Sequence, residues 1–568
     1  MREPSSMVVS LQRAQRMYSM ASFFVRAKSL QCLRTVHNVF SMSPRLDKGT
    51  VDDFPVVLAE SISILHTTDE PNERLLMLGK IENLRMACQK IDKRILRAGE
   101  TFSLWRQIGP PWRIRGFAVG REVREGCIVP TVGGGLCQFS GALMELASKL
   151  GFKIIERHRH TALPPDVRYI EQRDATLFWN YVDLRFSATH DVLFEAHLTE
   201  RMLVVRVRAN SMAAQQTMSQ EMLDVGQQKP RELPAYVASS TSRKVAYLLG
   251  DPQPEFTRYV KSLRKGNDTI FVSFNAPFDV PGMERVKSPP LYRVRRAIAL
   301  RWAVARKKTV AKTHFALAET VANYYAKHLH YSVDHVCVAQ TLLPYLWRSG
   351  KLQGRSFDVM MYRAPTEIIE SELESAVGTY SHSTTLREFR APGWFIDAER
   401  EALAAARTVI TPHAYIASLF ENVVELSWDC EGSPENAYGN EKRDLIVFLG
   451  PTLARKGCYA VRDAIKELGV PLTIVGSEPE GPDFWKGLTV SRCDIETLPW
   501  ARVHTVVQPA LFEYWPRQLL RARRAGARLL ITPGCGIRED ERNGIWHVPF
   551  GDADALVTAL RKSLELRE

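Results

Sequence analysis

The sequence predicts an α+β domain followed by an α/β module built of two Rossmann-like lobes. Residues before 211 combine many glycine turns with runs in which apolar and polar residues alternate, as in strands with one buried face. Residues after 242 place short apolar runs between helical stretches, which is typical of parallel α/β units. Residues 211–242 are rich in Gln, Ser and Met and show no sustained apolar period, so they are predicted to be a linker.

Length and composition limit the number of domains and the class of protein. At about 100–200 residues per domain, 568 residues suggest roughly three domains. With 45% hydrophobic and 24% charged residues, disordered, collagen-like and coiled-coil chains are excluded. No run approaches about 18 apolar residues, which excludes an integral membrane protein. The expected parts are a basic arm (1–48), the first domain (49–210), the linker (211–242) and two lobes (243–430 and 431–568).

Charge and cysteine content concern partners and compartment. The net charge of +13 suggests anionic partners such as phosphates, nucleotide sugars or a membrane surface. The nine cysteines include no CxxC pair, so neither a disulfide framework nor a zinc site is indicated. Without a secretory signal pattern at the start, a cytoplasmic location is expected. Residues 1–48 read as a frayed basic arm, with a surface-binding amphipathic segment as the alternative.

A cysteine near the middle of the first domain is a candidate nucleophile. Gly133, Gly134 and Gly135 precede Cys137, and an amphipathic helical pattern follows up to Gly151. Cys137 is therefore expected in the first turn of a helix, where unpaired amides and the helix dipole favour a thiolate. The glycines would allow a bound group to approach the backbone closely.

Two histidines and two polar residues follow this cysteine. His158 and His160 lie on a strand-like stretch, and Asn180 and Asp183 lie on an alternating run over 174–186. A thiol, a histidine and an amide or carboxylate in this order are what a thiol nucleophile with an oriented base requires. The alternative is that Cys137 is a small buried hydrophobic residue and that the histidines belong to a structural hydrogen-bond network.

The last part of the chain carries a candidate phosphate site. A buried strand over 445–450 leads into a loop containing Gly450, Arg455, Lys456 and Gly457, and a helix is predicted after it. Cations and glycines at a helix N-terminus suit a diphosphate. An ordinary βα turn with solvated charges is the alternative.

The lobe over 243–430 offers weaker candidates. Asp358, Arg363 and His413 lie near the predicted ends of strands, where α/β folds bind ligands, but none is favoured as a catalytic base. Residues 285–312 hold ten Lys or Arg and no acid. A solvated basic helix, or a peripheral contact with anionic lipid, would explain that stretch. Nucleic-acid binding is disfavoured because no aromatic platform accompanies the charge.

The first domain resembles the VanW family over about residues 75–208. The matching stretches are GKIENLRMA (79–87), AGETFSLWRQIGPP (98–111), RGFAVGREVREG (115–126), VGGGLCQFSGAL (132–143), ERHRHTALPPD (156–166) and DATLFWNYVDLRF (174–186). The resemblance implies an association with the cell envelope but no particular reaction. The motif positions that it implies are Gly133, Gly134, Gly135, Cys137, Gln138, His160, Asn180 and Asp183.

Residues 243–566 resemble a family-4-like glycosyltransferase of the GT-B fold, most clearly in the last 120 or so residues. Gly450, Lys456 and Gly457 match the family's donor-diphosphate loop, and residues 509–540 match the acidic helix and the strand after it. The resemblance implies that Glu513 acts near the donor sugar. Pro451 replaces the family's arginine, and Arg521 replaces its second glutamate, which leaves the contact with the donor ribose without its usual carboxylate.

These observations predict transfer of a sugar from a nucleotide donor to an envelope polysaccharide or glycolipid precursor, with no metal and no cofactor. The cytoplasm is the expected location, with a peripheral position at the inner face of the membrane as a variant. One alternative is a Cys137-based acyl transferase or amidohydrolase that acts on an envelope peptide or glycan precursor. The other is a non-catalytic protein that binds a glycan or nucleotide.

Overall fold

The computed structural model describes two compact units. One unit contains residues 1–243 with the short segments 330–334 and 353–355, and the other contains 244–329, 335–352 and 356–568. Most of the predicted arm, the linker after 211, the stretch 431–441 and most of the basic stretch 285–312 lie outside the described residues. The described residues are 25–26, 28–36, 43–66, 70–124, 127–160, 174–211, 243–250, 253–263, 265–272, 283–288, 294, 297–298, 301, 310–383, 385–386, 390–428 and 443–565.

The first unit is an α+β domain. Its main sheet is antiparallel with the order β1-β3-β9-β10-β2, and a three-stranded sheet (β4-β8-β7) and a hairpin (β5-β6) accompany it. The strands are β1 (Asp47–Lys48), β2 (Val56–Ile64), β3 (Arg94–Leu96), β4 (Thr101–Ser103), β5 (Val119–Arg124), β6 (Cys127–Val132), β7 (Lys153–Glu156), β8 (Arg185–Ser187), β9 (Val192–Leu198) and β10 (Met202–Ala209). The helices are α1 (Arg74–Ile91), α2 (Leu104–Ile108) and α3 (Leu136–Lys149).

The core of this unit lies between the helices α1 and α3 and the sheets. Phe139 of α3 and Phe102, Phe186 and Phe194 of the strands are fully buried, and the rings of Phe102 and Phe186 stack with centroids 4.7 Å apart. Each such buried ring contributes about 1.5–3 kcal/mol through loss of exposed apolar area. Residues 28–36 of the predicted frayed arm are instead helical.

The second unit contains two parallel sheets, which confirms the predicted pair of Rossmann-like lobes. The seven-stranded sheet has the order β13-β12-β11-β14-β15-β16-β17, and the six-stranded sheet has the order β20-β19-β18-β21-β22-β23. Numbered within each lobe, both sheets follow the Rossmann order 3-2-1-4-5-6, extended by a seventh strand in the first lobe. In such sheets ligands bind at the carboxyl ends of strands 1 and 4, where the order reverses.

The strands of this unit include the predicted buried strand over 445–450, which is present over 445–449. The first lobe holds β11 (Val245–Leu248), β12 (Thr269–Val272), β13 (Glu284–Lys287), β14 (His335–Ala339), β15 (Ser356–Met360), β16 (Thr408–Thr411) and β17 (Val423–Glu425). The second holds β18 (Leu445–Leu449), β19 (Leu472–Val475), β20 (Val490–Cys493), β21 (Val503–Gln508), β22 (Arg528–Ile531) and β23 (Ile545–His547). β18 is apolar throughout because Ile446 and Phe448 enter one core and Val447 and Leu449 enter another.

Helices flank both sheets of the second unit. They are α4 (Pro254–Leu263), α5 (Val310–His328), α6 (Leu343–Arg348), α7 (Thr366–Thr379), α8 (Gly393–Ala405), α9 (Ala414–Ala417), α10 (Cys458–Leu468), α11 (Arg517–Arg524) and α12 (Ala553–Glu565). Among the described helices of either unit, none is both long and apolar enough to cross a bilayer. Seven cysteines are free thiols, namely Cys32, Cys88, Cys137, Cys337, Cys458, Cys493 and Cys535.

Candidate functional sites

The glycine loop of the first unit joins the β5–β6 hairpin to helix α3. Gly133 and Gly135 have φ angles of +85° and +97°, which residues with side chains rarely adopt. A Cβ atom on Gly135 would lie 2.3 Å from Cγ of Lys80. Asn83, which is fully buried, donates to the carbonyl oxygens of Ala118 and Gly134. The loop is therefore clamped between helix α1 and the start of α3.

Cys137 lies in the first turn of α3, as predicted. Its Sγ is 3.9 Å from Oγ1 of Thr176. The hydroxyl of Ser140, one turn along α3, donates to the carbonyl oxygen of Ala175 at 2.5 Å. This bond ties the stretch that begins at Asp174 to the helix that carries the thiol.

His160 connects Cys137 to Asp174. The Nδ1 atom of His160 is 2.5 Å from Oδ1 of Asp174, and its backbone N–H donates to both carboxylate oxygens at 3.2 Å. A hydrogen bond with the side chain of Cys137 is the largest influence on the imidazole. Together with Asp174 it raises the pKa of His160 to about 9, against the opposing effect of burial. The imidazolium form is therefore favoured at neutral pH.

The sequence offered an amide or a carboxylate, Asn180 or Asp183, to orient this histidine, and the carboxylate in contact with His160 in the structure is that of Asp174. Asp183 accepts hydrogen bonds from Oγ of Ser103 at 2.6 Å and from the N–H of Trp105 at 3.1 Å, and it pairs with Arg185. Burial is the largest influence on Asp183 and raises its pKa. Residues 174–186 are not one strand, since a turn bridged by Phe178 and Val182 intervenes before β8.

The remaining motif residues of this unit lie around the thiol site rather than in it. Gln138 donates to Oγ of Ser63 and the carbonyl oxygen of Ile64, which anchors α3 to β2. Asn180 donates to Thr35 of the helical segment 28–36. His158 is exposed, and its Nε2 lies 3.3 Å from Glu156. These residues have structural contacts and do not touch the sulfur in the described part of the chain.

The candidate diphosphate site lies where the strand order of the second lobe reverses. The loop from Gly450 to Gly457 follows β18, and a Cβ atom on Gly457 would lie 2.3 Å from the carbonyl oxygen of Pro509, just after β21. Lys456 donates from Nζ to Oε2 of Glu513, and Gln508 donates to the same oxygen at 2.9 Å. The predicted donor-loop cation and the predicted acidic residue therefore meet.

Two arginines approach the same place. Arg363, after β15 of the first lobe, and Arg455 both act electrostatically on the hydroxyl of Tyr514, whose pKa is raised chiefly by burial. Arg363 donates to Glu399 at 3.3 Å, and its buried Nε has no partner among the described residues. Arg455 is exposed. The Rossmann switch point is thus surrounded by three cations.

A glutamate holds the loop from the other side. Oε1 of Glu480 accepts hydrogen bonds from the N–H of Ala454 at 3.0 Å and from Ser383 and Thr385 of the first lobe at 2.9 and 2.5 Å. Tyr459 donates to its Oε2 at 2.9 Å. The N–H of Ala454 is therefore engaged, so a phosphate would be held by the cationic side chains. No sequence pattern marked Glu480 or Tyr514.

Two of the three strand-end candidates are held by neighbouring residues. Asp358 lies in the middle of β15, bonded to His335 at 3.0 Å and to Arg407. His413 bridges the lobes through the carbonyl oxygen of Glu513 at 3.3 Å, and its Nδ1 accepts the N–H of Ile416. Burial lowers the pKa of His413 to about 4, so it stays neutral.

Two further groups have structural explanations. Arg521 stacks its guanidinium 4.8 Å from the centroid of Trp500. His335, Cys337 and Asp358 have ligand atoms within 4.8 Å of one another and could hold a metal ion. Their mutual hydrogen bonds and the Arg407 pair already satisfy these buried groups.

Comparisons with known proteins divide the chain in the same way. Residues 79–208 match the family model described as VanW like protein. This chain is 33% identical over 105 residues to an uncharacterized protein, YoaR, of Bacillus subtilis, covering 18% of this chain and 34% of that protein. It is 26% identical over 148 residues to vancomycin B-type resistance protein VanW of Enterococcus faecalis, covering 26% and 54%. The chain thus spans about a third and about half of these relatives.

Similar solved structures are glycosyltransferases of low identity. Sucrose-phosphate synthase from Thermosynechococcus elongatus has 13% identity and a TM-score of 0.37, covering 57% of this chain and 90% of that one. The catalytic domain of starch synthase IV from Arabidopsis thaliana has 12% identity and a TM-score of 0.36, covering 58% and 92%. Anabaena HepE in complex with UDP has 13% identity and a TM-score of 0.34, covering 57% and 90%. Residues 79–208 are therefore a VanW-like region, joined to a module with Rossmann-type sheets.

Proposed function

We propose that the second unit transfers a sugar from a nucleotide-sugar donor to an envelope glycan or lipid-linked acceptor. The observation that carries this proposal is the meeting of Lys456 and Glu513 at the switch point between β18 and β21. Ligands of doubly wound sheets bind at this point. The envelope acceptor is suggested by the VanW-like region alone.

Each charged group has a role in this reaction. Lys456 and Arg455 would offset the negative charge that grows on the leaving diphosphate, which lowers the barrier without a metal ion. Glu513 holds Lys456 in place in the absence of donor and lies beside the position of the sugar. Arg363 faces the same cleft from the first lobe, with a buried Nε that a phosphate oxygen would satisfy.

Nucleotide binding to the full chain tests this proposal. Titration calorimetry with UDP, ADP, GDP and dTDP should show binding of at least one nucleotide. Lys456→Ala should weaken that binding roughly 10–100-fold, because a charge-assisted hydrogen bond contributes about 1.5–3 kcal/mol. Lys466→Ala, at an exposed lysine of helix α10, which follows the loop, is the matched control and should bind as the parent chain does. Absence of binding by all four nucleotides would contradict the proposal.

A further inference from the structure

Outside the nucleotide cleft, three residues of the first unit form a connected chain of side chains. Sγ of Cys137 lies 3.9 Å from Oγ1 of Thr176, and its side chain acts on the imidazole of His160. Asp174, two residues before Thr176, holds that ring through a 2.5 Å contact at Nδ1. The carboxylate of Asp174 also accepts the backbone N–H of His160, so ring and backbone are fixed together. Because Nδ1 is bonded to the carboxylate, Nε2 is the ring nitrogen that can exchange a proton with the sulfur.

The surroundings of this group differ from those of the other thiols. Cys88, Cys337, Cys458 and Cys535 are buried, and burial raises the pKa of each thiol, which makes them inert. Cys137 is partly exposed, and the side chain of His160 is 16% exposed, whereas only 4% of the Asp174 side chain is. The buried carboxylate thus supports a ring and a thiol that both reach the surface.

The start of helix α3 supplies a place for developing negative charge. The N–H groups of Leu136 and Cys137 precede the first intrahelical bond, and no acceptor for them is found among the described residues. Gly133–Gly135 carry no side chains of their own, and the side chains of Pro111 and Lys80 pack against Gly133 and Gly135. Backbone N–H donors beside a nucleophile form an oxyanion hole for acyl transfer.

We propose that Cys137, His160 and Asp174 form a second catalytic site, which transfers or hydrolyses an amide- or ester-linked acyl group through a thioester on Cys137. Cys137 is the nucleophile, His160 is the acid and base, and Asp174 is a positioning residue. The proposal is independent of nucleotide binding, since none of the three residues belongs to the second unit.

The reaction has two balanced steps. First, the sulfur of Cys137 bonds to the carbonyl carbon, the C–N or C–O bond breaks, and His160 gives its proton to the leaving amine or alcohol. Second, a water molecule or an amine attacks the thioester, His160 accepts its proton, and the C–S bond breaks to return the thiolate. Asp174 holds the imidazole ring of His160 in place throughout.

Alkylation of the reduced full chain by iodoacetamide, followed by peptide mass spectrometry, tests the nucleophile. The groups that act on His160 are Cys137 and Asp174, and a thiol whose proton the imidazole accepts should be alkylated at nearly the same rate at pH 6 and pH 8. At pH 6 an ordinary cysteine is only about 0.3% thiolate. Cys137 should therefore react roughly 10–100-fold faster than exposed Cys32, and faster than Cys493, in the same sample.

Variants assign the effect. His160→Gln should lower the rate at Cys137 at pH 6 by roughly tenfold or more and restore the ordinary rise with pH. His158→Gln, at an exposed histidine two residues away, should behave as the parent chain does. A parent-chain rate that rises with pH in parallel with that at Cys493 would overturn the proposal without any variant.

The acyl step is tested with p-nitrophenyl acetate. An acetyl group on Cys137 that forms and is then lost on further incubation is the expected result, with no acetyl group retained in Cys137→Ala. A reactive Cys137 that never carries an acetyl group would overturn the acyl-transfer assignment.

Discussion

The two candidate sites differ in how their charges are balanced. In the first unit the imidazolium of His160 faces one carboxylate and one thiol that can ionise. Its positive charge is therefore balanced by groups of the same site. At the switch point of the second unit, Glu513 pairs with Lys456, while Arg455 is exposed and Nε of Arg363 is without a partner in the described part of the chain. The site of the first unit suits a neutral carbonyl, and the exposed Arg455 at the switch point of the second unit suits a diphosphate.

In the first unit, the largest effect is expected from a variant that distinguishes the structural role of Asp183 from the role of Asp174 at His160. Asp183→Ala should lower the free energy of unfolding by about 3–5 kcal/mol, because it removes the acceptor of several buried donors and a partner of Arg185. Urea denaturation measures the loss. Asp52→Ala, at an exposed aspartate, should change stability by less than about 0.5 kcal/mol. A loss below 1 kcal/mol for Asp183→Ala would show that Asp183 is not the structural carboxylate.

A matched pair of glycines tests whether the thiol loop is held by its neighbours. Gly135 and Gly151 both have positive φ, but open space surrounds Gly151, whereas a Cβ at Gly135 meets Lys80. Gly151→Ala should cost about 1 kcal/mol of stability and Gly135→Ala about 2–3 kcal/mol, since the clash adds to the backbone strain. Equal losses in thermal unfolding would mean that the loop moves freely away from α1.

The positive charge at the switch point of the second unit is tested by replacing its exposed cation, Arg455. Arg455→Ala should weaken nucleoside diphosphate binding about tenfold, with no change in melting temperature, because the side chain interacts with the ligand and not with the fold. Lys486→Ala removes an equal charge from an 80% exposed side chain of the same lobe and should change affinity less than about twofold. Equal effects would indicate a general field instead of a contact.

The smallest expected effect is the pH dependence of the balanced site. Because the pKa of His160 is raised from 6.5 to about 9, the folded chain holds this proton more tightly than the unfolded chain. The resulting stability is complete below about pH 6.5 and is lost as the pH rises through about 9. Because solvent screens the partly exposed ring, the expected loss in the free energy of unfolding is about 1 kcal/mol. Denaturation at pH 6.5 and 9.5 should show this difference in the parent chain and not in His160→Gln.

Sequence patterns predicted the parallel strands well because buried strands are continuously apolar. The run Leu445–Leu449 faces a core on each side, which leaves little choice of structure. The run 174–186 gave a wrong expectation because its alternation of apolar and polar residues continues through a turn at 178–182. That turn gives Asp183 a different set of neighbours from those of Asp174. The choice between two carboxylates on one stretch depends on such a turn and cannot be made from spacing.

The residues at the switch point of the second unit were predictable only where they lie in local motifs. Lys456 and Gly457 stand in the loop between a strand and a helix, so their position followed from the chain itself. Glu480 lies 26 residues from Ala454, and its hydroxyl partners Ser383 and Thr385 belong to the other lobe. Such contacts depend on the packing of loops that are distant in the sequence, so the pattern of apolar and polar residues cannot predict them.

Cleavage of a nucleotide sugar by the full chain tests the central claim most directly. The chain would be incubated with UDP-, ADP-, GDP- and dTDP-linked sugars, with water as the acceptor, and the freed nucleoside diphosphate would be measured by chromatography. We expect release above background from at least one donor, little or none with Lys456→Ala, and an unchanged rate with Cys137→Ala. No release from any of the four donor classes, or equal release by Lys456→Ala, would contradict the account.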